Sequence, residues 1–496
     1  MYVYCAVAAF LGSCVVILVA RLLEPRCPAG TTRPPIAPRC LPLIGHALAY
    51  KRDPAAFLTR AGEACGPVFR INLAGRWFVV VGSDRATMRQ VACASEDVLS
   101  ARAAVLDIGF EQTLGLTNVT VGTDFHRGVV QDSFAGSRLA DEAEPMLRAL
   151  QHAFQLEFTA AASNGGIIAD FLQVVRRCVL RAVICRLLGA SVMSRLPSDF
   201  IDSFMTFQDA VESATASAAV LPRWFARTFV LSKVEAQRAG VSSQLSCAIA
   251  DAWLGADGSG CGPWLNAFKK SGIRHAAAGE LSVGLLFAAH KNPAIGAAQA
   301  VLFTLQSAAS FLSQVQTAAS AAQRQPAAVL NDPNSVLRRV ALETCRVTAH
   351  AIGAVRKVLR PDGFTLESGK YRFWVGPGDT IALTHIAVHR SSRLWGGDCS
   401  SKASGSACAP APDAFAPNRS QWDANPDQYT HTTFSHGIHR CPGEGLALLI
   451  IQCTLVELLA GSWHCSVEAP VPALSWERAT LAQRSSPVTM RVRPRD

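Results

Sequence analysis

Near the carboxyl end the chain reads Phe434-Ser435-His436-Gly437-Ile438-His439-Arg440-Cys441-Pro442-Gly443, immediately before the apolar run Leu446–Leu459, which has helical length. A cysteine placed there sits at a helix amino terminus, where free N–H groups and the helix dipole lower a thiol pKa and stabilise the thiolate. Gly437 and Gly443 lack side chains and let the backbone lie close to a flat ligand. Phe434 can pack beside the sulfur and keep water away. Such a loop needs a body large enough to bury a thiolate and a ligand over it, and 496 residues supply one in one or two domains.

Composition agrees with a large buried interior. Half of the residues are hydrophobic, 17% are charged and the mean hydropathy is +0.21, which excludes a disordered chain. The net charge is +10, yet the 47 Lys and Arg are spread along the chain without dense basic runs. A diffuse basic balance fits an acidic protein partner or an anionic membrane surface. No nucleic-acid partner is expected, since neither zinc-finger spacing nor an RNP-type motif occurs. The 16 cysteines are scattered with no CxxC pair and read as reduced, small, buried residues, so only a cysteine in a special setting carries chemistry.

From Met1 to Ala20 there is no charged residue, and Tyr4–Ala20 is nearly all apolar, which approaches the roughly 20 residues needed to cross a bilayer. Residues 1–23 are therefore expected to form a single transmembrane anchor. Arg21, Arg26, Arg33 and Arg39 against Glu24 place the remaining chain in the cytosol by the positive-inside rule. A cleaved signal peptide is the competing reading, but no basic residue precedes the apolar core. Residues 24–50 hold Pro34-Pro35-Ile36-Ala37-Pro38 and read as a stiff hinge, with residues 51–496 as the catalytic domain.

Val68–Val81 shows two β-branched and aromatic runs around Ala74-Gly75, a hairpin signature. Alanine- and leucine-rich segments from about Asp141 to Ser320 read as helices, and short strands return at Tyr371–Val375 and Thr380–Leu383. The expected class is mainly α with a minor β-sheet. Ser400–Pro412 reads as a surface loop. Leu221-Pro222-Arg223-Trp224-Phe225 followed by Phe229-Val230-Leu231 reads either as a helix packed on the core or as a second membrane contact.

The cysteine segment resembles the haem-binding loop FxxGxRxCxG of the cytochrome P-450 family at Phe434, Gly437, Cys441 and Gly443, with His439 standing for the usual arginine. Glu343-Thr344-Cys345-Arg346 is similar to the family's ExxR element, whose spacing puts both charges on one helix face. Pro412–Arg419 is similar to its PxxFxPxR element. The resemblance implies a buried network of Glu343, Arg346 and Arg419 on the proximal side of the haem. Loss of one partner is expected to cost roughly 3–5 kcal/mol. It also implies Cys441 as the iron ligand of haem b and Arg356 as a contact of a haem propionate. Gly122–Arg127 corresponds to a helix where the family has a Trp and a later Arg; Phe125 takes the aromatic place and Val129 that of the Arg, leaving His126 or Arg127 for the propionate.

Ser282–Leu305 is expected to be the long helix over the haem, with Ala288-Ala289-His290-Lys291-Asn292-Pro293 at the family's AGx(D/E)T(T). Lys291 replaces the acid, Asn292 replaces the threonine, and Pro293 is expected to open or kink the helix. The acid-alcohol pair normally relays protons during oxygen activation. An Asn here is similar to the branch that contains sterol 7α-hydroxylases and prostacyclin synthase. Ile108, Phe110, Asn292, Ile352 and Val355 are expected around the substrate.

The resemblance implies the family's α-rich haem-protein fold behind one anchor in the endoplasmic reticulum membrane. The implied activity is oxidation of a steroid, terpenoid or other lipid, with O2 and electrons from NADPH-cytochrome P-450 reductase. The alternatives are a reductase-independent isomerase or dehydratase of an oxygenated lipid, and a haem carrier or sensor without turnover.

Overall fold

The computed structural model describes residues 26–42, 44–134, 136–218, 221, 225–254, 261–396, 410–423 and 426–495. The expected anchor, residues 1–23, lies outside the described residues, as do Pro222-Arg223-Trp224 and most of Ser400–Pro412. Among the described residues no helix is long and apolar enough to cross a membrane.

The structure is mainly helical with small sheets. After two helices, Ala47–Arg52 and Pro54–Cys65, comes the expected hairpin, β1 (Val68–Leu73) and β2 (Arg76–Val81), paired from Val68 opposite Val81 to Leu73 opposite Arg76. Ala74 and Gly75 both have positive φ, 50° and 92°, as a two-residue turn matched to strand twist requires. Asn72 Oδ1 accepts the Gly75 N–H at 2.8 Å and closes the turn. Then come β3 (Leu99–Ser100), α1 (Ala101–Leu106), α2 (Thr123–Phe134), α3 (Ala143–Ala162), α4 (Phe171–Leu187), α5 (Phe200–Ala218) and α6 (Ser232–Leu254).

α7 (His275–Leu305) is the long helix expected over Ser282–Leu305, and it starts earlier. Pro293 does not end it; helical structure continues to Leu305. α8 (Ala309–Arg324) and α9 (Val336–Val347) follow, then β4 (Ile352–Val358), β5 (Phe364–Ser368), β6 (Tyr371–Val375), β7 (Thr380–Thr384) and, last of the helices, α10 (Glu444–Ala460). The main sheet has the order β1-β2-β7-β4-β3.

α7 and α10 are apolar on nearly all faces, so each must be buried all round. They pack against each other, with α4, α6 and α9 against α7, and α3 and α8 against α10. The expected hinge is pinned to the sheets. Thr32 exchanges backbone hydrogen bonds with the chain around Arg372 and Trp374, and Ala37 and Pro35 do the same with Arg70. The Arg33 guanidinium lies 4.9 Å from the centre of the Trp374 ring.

Candidate active site

The cysteine loop is built by backbone geometry that only its own sequence allows. Gly437 has φ +65°, and a Cβ there would sit 2.3 Å from the Ala92 carbonyl, so no larger residue fits. Its N–H donates to Gln428 Oε1 at 2.9 Å, and the Cys441 N–H donates to the Phe434 carbonyl at 2.8 Å. Phe434 is buried and, with Cys441, Pro442 and Gly443, lines a cavity of about 860 Å³. The Arg127 Nη2 clasps the loop from α2 by donating to the carbonyls of Ile438, at 2.7 Å, and Arg440, at 3.3 Å.

Cys441 stands three residues ahead of α10, whose first residue is Glu444. The expected lowering of its thiol pKa by the helix end does not prevail. Burial pushes the thiol up, and Glu444 adds to this; the Gly443 N–H to sulfur, Arg127 and Arg440 oppose it and lose. A cation at the sulfur is what the protein by itself does not supply.

Beneath the loop lies the expected charge network. Arg346 donates from Nε to Glu343 Oε2 at 2.7 Å and from Nη2 to Oε1 at 2.8 Å, and Arg419 Nε donates to Oε1 at 3.2 Å. Trp422 Nε1 and the Ala416 N–H also donate to that carboxylate. Both guanidinium groups are then filled by carbonyls, of His389, Pro412 and Ala414 for Arg346, and of Trp395, Pro410, Ala411 and Ala414 for Arg419. The network ties α9 to the loop between residues 410 and 419, and His389, hydrogen-bonded to both Arg346 and Thr432, carries it to the cysteine loop.

Across the cavity stands α7, presenting Gly284, Leu285, Ala288, Ala289, Asn292 and Pro293. Asn292 Oδ1 accepts the Leu481 N–H at 3.2 Å, and both residues line the cavity. Lys291 does not join it. One residue along a helix turns the side chain by about 100°, so Lys291 faces α5. Its ammonium lies 2.8 Å from Asp209 and also contacts Glu212, and only 5% of its side chain is exposed. His290 points the same way, bonded to Gln208 and the Arg176 carbonyl, and burial pushes it down to about 3.

Three of the expected substrate neighbours are also corrected. Phe110 and Asn292 line the cavity, whereas Ile108 does not, and Ile352 and Val355 pack against the cluster of Phe57, Phe69 and Val80 on another face of the sheet. Strict alternation would put these two on opposite faces, since they are three residues apart; the register shift between Ile352 and Ala354 in β4 returns them to one face. Phe125 stacks on Phe268 at 5.4 Å instead of facing the cavity, and Val129 is in the core. Lining residues missed from sequence include Glu96, Arg102 and Asn118, which lie outside every motif, and Asp124 and His350, which stand in or beside one without being singled out.

Several groups around the cavity fit an anionic, flat cofactor. Arg356 is 4% exposed, donates to the Val355 carbonyl and leaves Nε without a hydrogen bond. His126 and His439, both on the cavity wall, have buried Nε2 atoms without hydrogen bonds. Burial pushes His126 down to about 4, and burial with Arg356 and Arg127 lowers His439 against Glu96. His439 is thus a neutral hydrogen-bonding substitute for arginine. Haem would be held by Cys441 at the iron and by Arg356, Arg127, His126 and His439 near its carboxylates. Among the described residues no cluster of His, Cys, Asp and Glu could itself hold a metal ion.

No family model matches the chain. A segment of 62 residues is 40% identical to lanosterol 14-alpha demethylase of Rattus norvegicus and, equally, of Homo sapiens, covering 12% of this chain and 12% of each relative. A segment of 97 residues is 36% identical to cytochrome P-450 1A1 of Opsanus tau, covering 20% of this chain and 18% of that protein. The matched segments thus span less than a fifth of the relatives' own length. Both likenesses support the cytochrome P-450 family for this chain.

Proposed function

We propose that this chain is a haem-thiolate monooxygenase of the cytochrome P-450 family that oxidises a lipophilic small molecule, a steroid, terpenoid or other lipid. Electrons come from NADPH through cytochrome P-450 reductase, and the chain sits on the endoplasmic reticulum membrane with its catalytic domain in the cytosol. The observation that carries the reading is Cys441, whose sulfur opens on a mostly apolar cavity opposite Asn292 of α7, on a loop held by the buried Glu343, Arg346 and Arg419. Haem iron, when bound, supplies the oxygen chemistry, made electron-rich by the thiolate.

The protein's own groups do the rest. Leu285, Ala288, Phe110 and Val119 exclude water and accept an apolar substrate. The Asn292 amide nitrogen donates a hydrogen bond to an oxygen in the cavity, but an amide is no acid. Lys291 acts only as a structural cation between Asp209 and Glu212. The proposed membrane contact adds Phe225 and Phe229, 38% and 54% exposed, and Leu41 and Leu48 of the hinge to the anchor.

One observation favours a second reading. The cavity face of α7 carries no carboxylate, and the nearby Asp209 and Glu212 are neutralised on Lys291. An isomerase or dehydratase of an oxygenated lipid needs no reductase and no external proton relay. The test is a carbon monoxide difference spectrum of the reduced protein, followed by NADPH consumption with purified reductase. The wild type shows the thiolate-type band and Cys441→Ala loses it entirely. An unchanged spectrum in Cys441→Ala overturns the assignment, and product formation without NADPH selects the isomerase.

A further inference from the structure

Glu96 lines the cavity beside the cysteine loop, at the place where the cofactor-binding cations converge. Its Oε1 accepts from the Ser100 hydroxyl at 2.7 Å and the Arg102 N–H at 2.9 Å, and its Oε2 accepts from the Ala101 N–H at 3.1 Å. The same Oε2 lies 3.5 Å from His439 Nε2. The carboxylate also acts on Arg356 through space, without an ion pair between them. Ser100 pairs with Lys357, the next residue of β4 after Arg356, and Lys357 itself is taken by Asp107 at 2.6 Å.

Glu96 is ionised. Its three hydrogen bonds, from Ser100 and the backbone of Ala101 and Arg102, hold it below the usual carboxylate range in spite of burial, and its field supports the charge of buried Arg356. Other charged groups at this rim are already committed. Arg102 lies 3.9 Å from Asp124, Arg440 2.9 Å from Glu444, and Arg127 clasps the loop carbonyls.

We propose that Glu96 is a resident counter-anion of the cofactor site, which faces His439 and supports the charge of Arg356 through space while the carboxylates of haem are absent and repels those carboxylates when haem is bound. The inference rests on the haem reading above. Its two consequences have the same sign. Without cofactor, a buried guanidinium deprived of its anion is costly, so Glu96 stabilises the apoprotein. With cofactor, a like charge in a weakly screened site opposes binding. Glu96 therefore narrows the gap between the two states and makes haem easier to release. It is a positioning residue for the cofactor, with no part in the reaction itself.

The test is Glu96→Gln, which removes the charge and keeps an oxygen acceptor for the Ser100 hydroxyl or a backbone N–H. Haem release is followed by absorbance in the presence of excess apomyoglobin as scavenger, and thermal melting is recorded for the apo and haem-loaded forms. The expected result is release slowed about tenfold, with a lowered apo melting temperature. A purely structural role would instead lower both melting temperatures and speed release. Should Glu96→Gln fold poorly, Glu96→Ala gives the same comparison. Release that is unchanged or faster in both variants, with a haem-loaded wild type, overturns this proposal alone. A wild type that takes up no haem overturns the cofactor reading and this proposal with it.

Discussion

Glu343→Ala is expected to abolish recovery of folded, haem-bearing protein. The Arg346 and Glu343 side chains are wholly buried and that of Arg419 is 2% exposed, so nothing from solvent can replace the lost carboxylate. Five hydrogen bonds converge on that carboxylate, from Arg346 twice, Arg419, Trp422 and Ala416. Its removal leaves two buried guanidinium groups without an anion. Breaking one buried pair costs roughly 3–5 kcal/mol. That is a large share of the roughly 5–15 kcal/mol by which a typical fold is stable. Glu343→Gln, which still accepts but carries no charge, should fall between the two. Urea midpoints and the carbon monoxide spectrum report the outcome, and a Glu343→Ala protein with the wild-type midpoint would refute the role given to this network.

The second large effect is acid lability. His350 is pushed down to about 4 and His431 to about 3, in both cases chiefly by burial. His290 is down at about 3, and His385 and His389 lie well below the ordinary value for the same reason, with neighbouring histidines adding to it. Four of these form one stack under the cysteine loop, His350 to His385 to His389 to His431, with ring centres 5.5 to 6.1 Å apart.

A histidine that titrates near 6.5 when unfolded and much lower when folded draws protons to the unfolded state as pH falls. Stability is therefore complete above about pH 7 and declines below 6.5. At pH 5 each such group costs about 2 kcal/mol, so His290, His350 and His431 together cost about 6 kcal/mol. Glu457, raised by burial to about 7, works the other way, because the folded state then binds the extra proton. It offsets roughly one histidine. The net loss between pH 7.5 and 5 is about 4 kcal/mol before His126, His385, His389 and His436, lowered likewise by burial, are counted. Urea denaturation across that range should show it, and a flat stability profile would contradict the buried, neutral state of the stack.

Much of the chemistry was legible because it is local in the chain. The Ala74-Gly75 turn and the i, i+3 charges of Glu343 and Arg346 each act within a few residues, and the structure brings them out as read, whereas Gly437 is required by the distant Ala92 carbonyl. The direction of α7's side chains was half legible. Its length was clear, but which side faces the cavity depends on what packs against the other side, and α5 claims Lys291 with Asp209 and Glu212.

The amino-acid sequence by itself determined the helical class, the cysteine loop and the charge triad, since periodicity, turn chemistry and short spacings are properties of contiguous residues. Only the tertiary structure decided that the thiol is raised, that Ile352 and Val355 turn from the cavity, and that Glu96 faces His439 and acts through space on Arg356. Burial and long-range Coulomb forces set these outcomes, and both depend on distances that no stretch of sequence contains.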